Sequence, residues 1–328
     1  MHRANVFPGA VASILAAGNA AAAWHEDEAA IMGTGMRVEL WLEDEAAART
    51  AIESVWQEMH RIDRLMSTYK EDSEISAVNR HAAARPVEVS RELLDLVAES
   101  LELSRLTGGA FDITYASVGY LYDYRAGRKP SDEQIDAALP AVDWRHVRID
   151  EGAGTISFAA PGVRIDLGGI AKGYAVERAA GLLRGQGVEH AIVTAGGDSR
   201  IVGDRRGKPW IVGIRDPRAS GRMIARLPLV EEAISTSGDY ERYFEADGVR
   251  YHHIIAPASG RSASQVRSAT VIGPDATRTD GLSTSVFVLG AERGLELIDA
   301  LPDVEAVIVD SQGRLHYSSG LERPREAT

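Results

Sequence analysis

The stretch Gly162–Leu183, GVRIDLGGIAKGYAVERAAGLL, constrains the chain more than any other. Val163 and Ile165 alternate with Arg164 and Asp166, as a half-buried strand does. Gly168 and Gly169 then remove two side chains where the backbone must turn, which permits positive φ and close approach by a ligand. From Ala171 the pattern is helical, with Ala175, Val176, Ala179, Leu182 and Leu183 as the apolar stripe. Asp166 and Lys172 flank the turn. A strand-to-helix turn with bare backbone, one acid and one lysine suits a phosphate group and its metal ion. By itself it also suits an ordinary tight connection, because isolated glycine motifs are weak signals.

The rest of the chain alternates helical and strand patterns without a regular βαβ period. Glu45–Leu65 places Ala51, Ile52, Val55, Trp56, Met59, Ile62 and Leu65 at helical spacing. Ser90–Leu106 is a second long helix, with Ser90 as N-cap and Thr107-Gly108-Gly109 as its stop. Strands are expected at Met36–Leu42, Ala191–Thr194, Trp210–Ile214, Met223–Leu229, Ala233–Ser237, Ser268–Ile272, Ala306–Asp310 and Leu315–Ser318. Val147–Ile149 and Thr155–Phe158 pair as a hairpin. A helix is expected at Leu282–Leu289 with Gly290 as its stop, and another at Gly294–Ala300. The fold class expected is therefore α+β.

Acidic residues outnumber basic ones, 48 to 36 in 328 residues, which argues against nucleic-acid binding. The chain has no cysteine, so disulfides, thiolate metal sites and cysteine nucleophiles are excluded. The N-terminus reads as an export signal: His2 and Arg3, a mostly apolar Val6–Ala17, then the small residues Ala21-Ala22-Ala23 ahead of Trp24. The expected organisation is a cleaved signal over residues 1–23 and one domain over 24–328. The expected location is periplasmic and soluble, without an N-terminal lipid anchor. No later stretch is apolar and long enough to span a bilayer as a helix.

Several clusters bear on chemistry. They are MSTY at Met66–Tyr69, TGGAFDIT at Thr107–Thr114, the Asp166–Lys172 turn, AGGD at Ala195–Asp198, STSGDY at Ser235–Tyr240, YHHIIAPASG at Tyr251–Gly260 and TDGLST at Thr279–Thr284. Together with IMGT at Ile31–Thr34, and in this order, they resemble the ApbE family of FAD:protein FMN transferases. The resemblance runs from about Ile31 to about Gly290.

That resemblance implies an ApbE-like fold with the flavin site in a cleft between two intimately packed lobes. It implies cleavage of FAD, with FMN joined by a phosphoester to a Thr or Ser hydroxyl of an acceptor protein and AMP released. It implies a divalent ion, normally Mg2+. The flavin site would use Met32, Tyr69, Ala110, Phe111, Asp112, Asp166, Lys172 and the main chain at Ile254. The metal site would use the Gly169 carbonyl, Asp280, Thr284 and Ser283. His253 would take the acceptor's proton, with Asp239 as the alternative. The acceptor would be a respiratory or electron-transfer membrane protein. Glu177 stands where the family usually has Asp, Ala256 where it usually has Asp, and Ser259 where it usually has Thr.

The residues agree with this chemistry. Asp280 and Thr284 are four apart, so a helix puts them on one face. One carboxylate, one hydroxyl and one carbonyl are hard oxygen ligands of the kind magnesium prefers. His252 and His253 face opposite ways on a strand, so they do not form a zinc pair. Two other readings are an FAD-binding protein or FAD pyrophosphatase without acceptor transfer, and an electron-transfer flavoprotein. The second lacks a dinucleotide-binding fingerprint to support it.

Overall fold

The computed structural model describes residues 23–219 and 221–321. The export-signal reading of residues 1–23 lies, but for Ala23, outside them. The described chain is α+β, built on one eight-stranded sheet. Its strands are β1 (Ala23–Ile31), β2 (Thr34–Leu42), β3 (Ala191–Ala195), β4 (Asp198–Val202), β5 (Ala233–Gly238), β6 (Val266–Gly273), β7 (Glu305–Asp310) and β8 (Leu315–Tyr317). They lie side by side in chain order, and every neighbouring pair is antiparallel.

Such a meander puts alternate connections at the same end of the sheet. The turns Met32-Gly33 and Gly196-Gly197, the C-terminal end of β5 and the N-terminal end of β6 all meet there. Both turns are two-residue hairpins, in which positive φ matches the strand twist. Met32, Gly33 and Gly196 have φ of 53°, 70° and 61°.

Four longer helices matter for the site: α1 (Glu45–Met66), α2 (Arg91–Leu106), α3 (Ala171–Gly185) and α4 (Ala276–Leu289). Asp44 caps α1 through Ala46 N–H and Ala47 N–H, and the apolar stripe read from the sequence is buried, apart from half-buried Leu65. Helix α4 packs across β5 and β6 and against α3. It is buried almost all round and starts at Ala276, six residues before the expected Leu282, because Asp275 accepts from Arg278 N–H.

Two glycines permit these close contacts. A Cβ on Gly173 would sit 2.1 Å from the Ala276 carbonyl oxygen, and one on Gly281 would sit 2.4 Å from Leu103 Cδ1. No helix among the described residues is long and apolar enough to cross a membrane.

Between β2 and β3 the chain leaves the sheet to build a second layer, including α1, α2 and a small sheet of Val87–Glu88, Thr155–Phe158 and Val147–Asp150. Three expectations change here. Ala23–Ile31 is a strand absent from those expected; Trp24 packs edge-on to Trp210 at 5.2 Å. Asp198–Val202 is a fully buried strand with no alternation to betray it. Val163–Leu167 keeps the buried alternation but is not a ladder strand. Its backbone bonds instead to side chains, Asn79 gripping both the N–H and the C=O of Ile165 and Ser117 accepting from Arg164 N–H. These partners occupy the groups a neighbouring strand would need.

Candidate functional site

The Asp166–Lys172 turn is held from three sides. Thr68 Oγ1 donates to Asp166 Oδ2 at 2.8 Å, while Oδ1 accepts from Gly168 N–H at 2.7 Å and Tyr115 OH at 3.2 Å. Neither Gly168 nor Gly169 has positive φ. Their bareness serves close approach. A Cβ on Gly168 would meet Asp166 Oδ1 at 2.8 Å, and one on Gly169 would meet Phe111 Cε2 and Thr284 Oγ1 at 3.3 Å each. Phe111 and Thr284, far apart in sequence, thus both lie against Gly169.

Lys172 opens α3 and points into a buried acidic pair. Its ammonium bonds Asp198 Oδ2 and lies 3.6 Å from Asp280 Oδ1. Asp280 Oδ2 accepts the Gly173 N–H at 2.9 Å, satisfying one of the open donors at the helix start. Burial works against the Lys172 charge, but Asp198 and Asp280 hold its ammonium above the ordinary lysine value. Burial, with Asp198 beside it, pushes the Asp280 carboxyl up, against the pull of Lys172.

Asp198 Oδ1 is buried and has no hydrogen-bond partner among the described residues. A buried carboxylate oxygen left unpaired is costly unless a cation or donor meets it. Thr284 Oγ1, whose nearest polar partner is Ser237 Oγ at 3.2 Å, adds a hydroxyl. The donors are all hard oxygens, so the residues present fit a hard divalent cation. Asp280, Asp198 and Thr284 supply such donors, and Gly169 lies against Thr284. The Ser283 hydroxyl is buried, donates to the Asp280 carbonyl at 2.9 Å and meets Ser237 Oγ at 2.8 Å. The described residues contain no cluster of three or more His, Asp or Glu able to cage a metal by themselves. Substrate oxygens would have to complete a coordination shell.

The two histidines face apart. His252 is buried: its Nε2 lies 2.6 Å from the Ala263 carbonyl, and its Nδ1 accepts from Ile254 N–H at 3.3 Å. His253 is half-buried. Its main-chain N–H donates to the Arg242 carbonyl at 3.1 Å, and its Nδ1 lies 3.4 Å from the same oxygen. That carbonyl selects the tautomer protonated at Nδ1 and leaves Nε2 free to accept a proton. Desolvation first, then Arg242, His252 and Lys172, push the imidazole down to about 3, so it is neutral at physiological pH. Asp239, the other proton-acceptor candidate, is buried, and Arg218 donates to both its oxygens at 2.8 and 2.6 Å. With Arg250 also 3.6 Å away, that carboxylate serves as an anchor for two arginines and not as a free base.

The other flavin-site candidates divide. Tyr69 is 85% exposed beside the Asp166 turn and can offer its ring to a ligand. Met32 is half-buried at the hairpin tip, at a positive φ rare for its type. Ala110 is half-buried behind the α2 stop, where its N–H meets the Thr107 carbonyl. Phe111 is core, its ring lying under Gly169. The side chain of Asp112 does not face a ligand: it accepts from Thr114 N–H and Oγ1 and from Trp144 N–H. Ile254 has both main-chain groups engaged, by His252 and by Ala263 N–H.

The sequence offers Asp198, Thr68 and Ser237 only as members of motifs, and it does not single out Tyr115 or Arg242. An Asp directly after a Gly-Gly hairpin was the one available signal. The Asp-to-Glu departure at 177 has a structural use: Glu177 Oε2 accepts the Ala276 N–H at the start of α4, and Arg200 pairs with it.

The model of the ApbE family matches residues 32–308. The chain is 36% identical to the FAD:protein FMN transferase of Vibrio cholerae over 84% of each chain. It is 33% identical to that of Treponema pallidum over 83% of this chain and 80% of the relative. Among solved structures, the ApbE protein of Thermotoga maritima superposes with a TM-score of 0.84 at 36% identity, covering 90% of this chain and 97% of that one. The flavin transferase ApbE of Vibrio cholerae superposes with 0.81 at 32% identity, covering 91% and 98%. The family match takes in the turn that carries Lys172, and this chain belongs to the ApbE family.

Proposed function

We propose that this chain is an FAD:protein FMN transferase, acting on a Thr or Ser hydroxyl of an acceptor protein. The observation that carries the reading is the grouping of Lys172 with the buried Asp198 and Asp280, with Thr284 one helical turn on from Asp280 and against Gly169. In the proposed reaction the acceptor oxygen bonds to the phosphorus on the FMN side of FAD. The anhydride P–O bond breaks, AMP leaves, and the hydroxyl proton passes to His253 Nε2. Asp280, Thr284 and the Gly169 carbonyl would hold the cation, Mg2+, with Asp198 beside them. When bound it supplies charge neutralisation at the phosphates. Asp166 and its partners fix the turn, and Tyr69 stacks on a flat ring. Such a reaction depends mainly on positioning and electrostatics, which these residues provide.

The acceptor class proposed is a respiratory or electron-transfer membrane protein. The first 23 residues serve as a cleaved export signal, so that the mature chain begins near Trp24 in the periplasm. Intact mass of periplasmic material checks this; recovery of only full-length chain in the cytoplasm overturns it.

Incubation with FAD and magnesium, with and without an acceptor peptide, tests the activity. Covalent flavin on the peptide supports transfer. FMN and AMP with no peptide adduct would mean a pyrophosphatase, and bound but intact FAD a carrier.

A further inference from the structure

Arg242 lies in the loop between β5 and β6, just after Asp239. Its carbonyl holds His253 by main chain and ring. Its guanidinium reaches the other way, with Nη2 3.5 Å from the Gly33 carbonyl in the Met32-Gly33 turn. One residue therefore bridges two site elements, the hairpin tip at Met32 and the histidine at 253. It is exposed, and among the described residues no carboxylate lies within the 4.0 Å that defines an ion pair. Its neighbours are committed: Glu241 pairs with Arg215, and Asp239 with Arg218 and Arg250.

The charge balance of the site calls for such a group. Lys172 is already matched against two buried carboxylates, Asp198 and Asp280. A divalent cation added to that trio leaves one net positive charge. The bridging pyrophosphate of a dinucleotide brings two negative charges. One further cation neutralises the assembly, and it must stand near the reacting phosphorus without being consumed by protein acids. Arg242 has no acid partner among the described residues and joins the Met32-Gly33 turn to His253, and a guanidinium can engage two phosphoryl oxygens at once.

We propose that Arg242 is a specificity residue for the pyrophosphate: its guanidinium takes phosphoryl oxygens while its carbonyl keeps His253 oriented. This rests on the reading of FAD as substrate. The two functions sit on separable parts of one residue, since substitution removes the guanidinium and keeps the main-chain carbonyl.

Titration calorimetry of wild type, Arg242→Gln and Arg242→Lys with FAD and with riboflavin, which has the same ring and no phosphate, tests the assignment. Arg242→Gln is expected to weaken FAD by roughly ten- to a hundredfold, the loss typical of a charged hydrogen bond. Riboflavin affinity is expected to stay within about twofold, Arg242→Lys to fall between, and the salt dependence of FAD binding to flatten in Arg242→Gln. Unchanged FAD affinity in Arg242→Gln overturns the proposal, and so does an equal loss for FAD and riboflavin, which would mean that the residue only braces the turn. A wild type that binds no FAD would instead overturn the transferase reading.

Discussion

Asp280 on α4 accepts the backbone N–H of Gly173 on α3 at 2.9 Å, although the two residues are 107 apart in sequence. The same carboxylate faces Lys172. It thus joins two helices and faces the proposed cation site. Asp280→Ala is expected to lower FMN transfer by roughly two or more decades, the scale of losing a preorganised charge at a reacting phosphate. Magnesium titration of the transfer rate, with circular dichroism to check the fold, measures this. Wild-type transfer at limiting magnesium would remove Asp280 from the site.

Tyr69 and His253 separate binding from chemistry. Tyr69→Ala is expected to weaken FAD by roughly one or two decades, as loss of a stacked ring does, and excess FAD should restore much of the rate. His253→Ala is expected to keep FAD affinity within about tenfold while transfer drops by roughly two to four decades. Parallel loss of affinity and rate in His253→Ala would identify a ligand contact instead of a proton acceptor.

The desolvated imidazole of His253 also sets a pH dependence of stability. His253 is held down to about 3 in the folded chain, against 6.5 for an ordinary histidine. Between those values the unfolded chain binds a proton that the folded chain refuses, so stability falls as pH drops through this window. His253→Asn removes that penalty. At pH 5 its stability relative to wild type should be about 2 kcal/mol more favourable than at pH 8. Chemical denaturation at both pH values reads the difference; an identical gap at the two would show that the ring titrates normally.

Met32 occupies a left-handed conformation, φ 53°, at the tip of the β1–β2 hairpin. Asn or Gly adopts this conformation more readily, so Met32→Asn should stabilise the fold by roughly 0.5–1 kcal/mol. If the side chain serves the flavin, FAD affinity should fall at the same time. A variant that is more stable and binds FAD as tightly as wild type would show that the strain has no binding role.

Asp198→Asn tests the unpaired buried oxygen. The change keeps the shape and removes the charge that holds Lys172. Transfer should drop by at least about tenfold, and the magnesium concentration for half-maximal rate should rise. An unchanged magnesium requirement would confine Asp198 to bracing the lysine.

The long helices were legible because α1 and α2 each bury one stripe at regular spacing and begin at side-chain caps, both local properties. The Asp280 and Thr284 pairing was legible for the same reason, since the rise of a helix alone puts residues four apart on one face. The ordered motifs carried the family. What stayed hidden depended on long-range pairing. Strand β4 is buried on both faces, so its sequence has no alternation. Val163–Leu167 alternates like a strand, but Asn79 and Ser117 take the backbone groups a ladder would need. Asp112 and Asp166 look alike in sequence as acids near glycines. Only the fold gives Asp112 to the Trp144 N–H and sets Asp166 at the turn. Likewise only the fold sets Arg218 over Asp239 and the Arg242 carbonyl against His253. A sequence determines which groups can donate, accept or carry charge. Which of them are left unpaired facing a ligand is decided by partners dozens of residues away, and those partners are brought together only by tertiary packing.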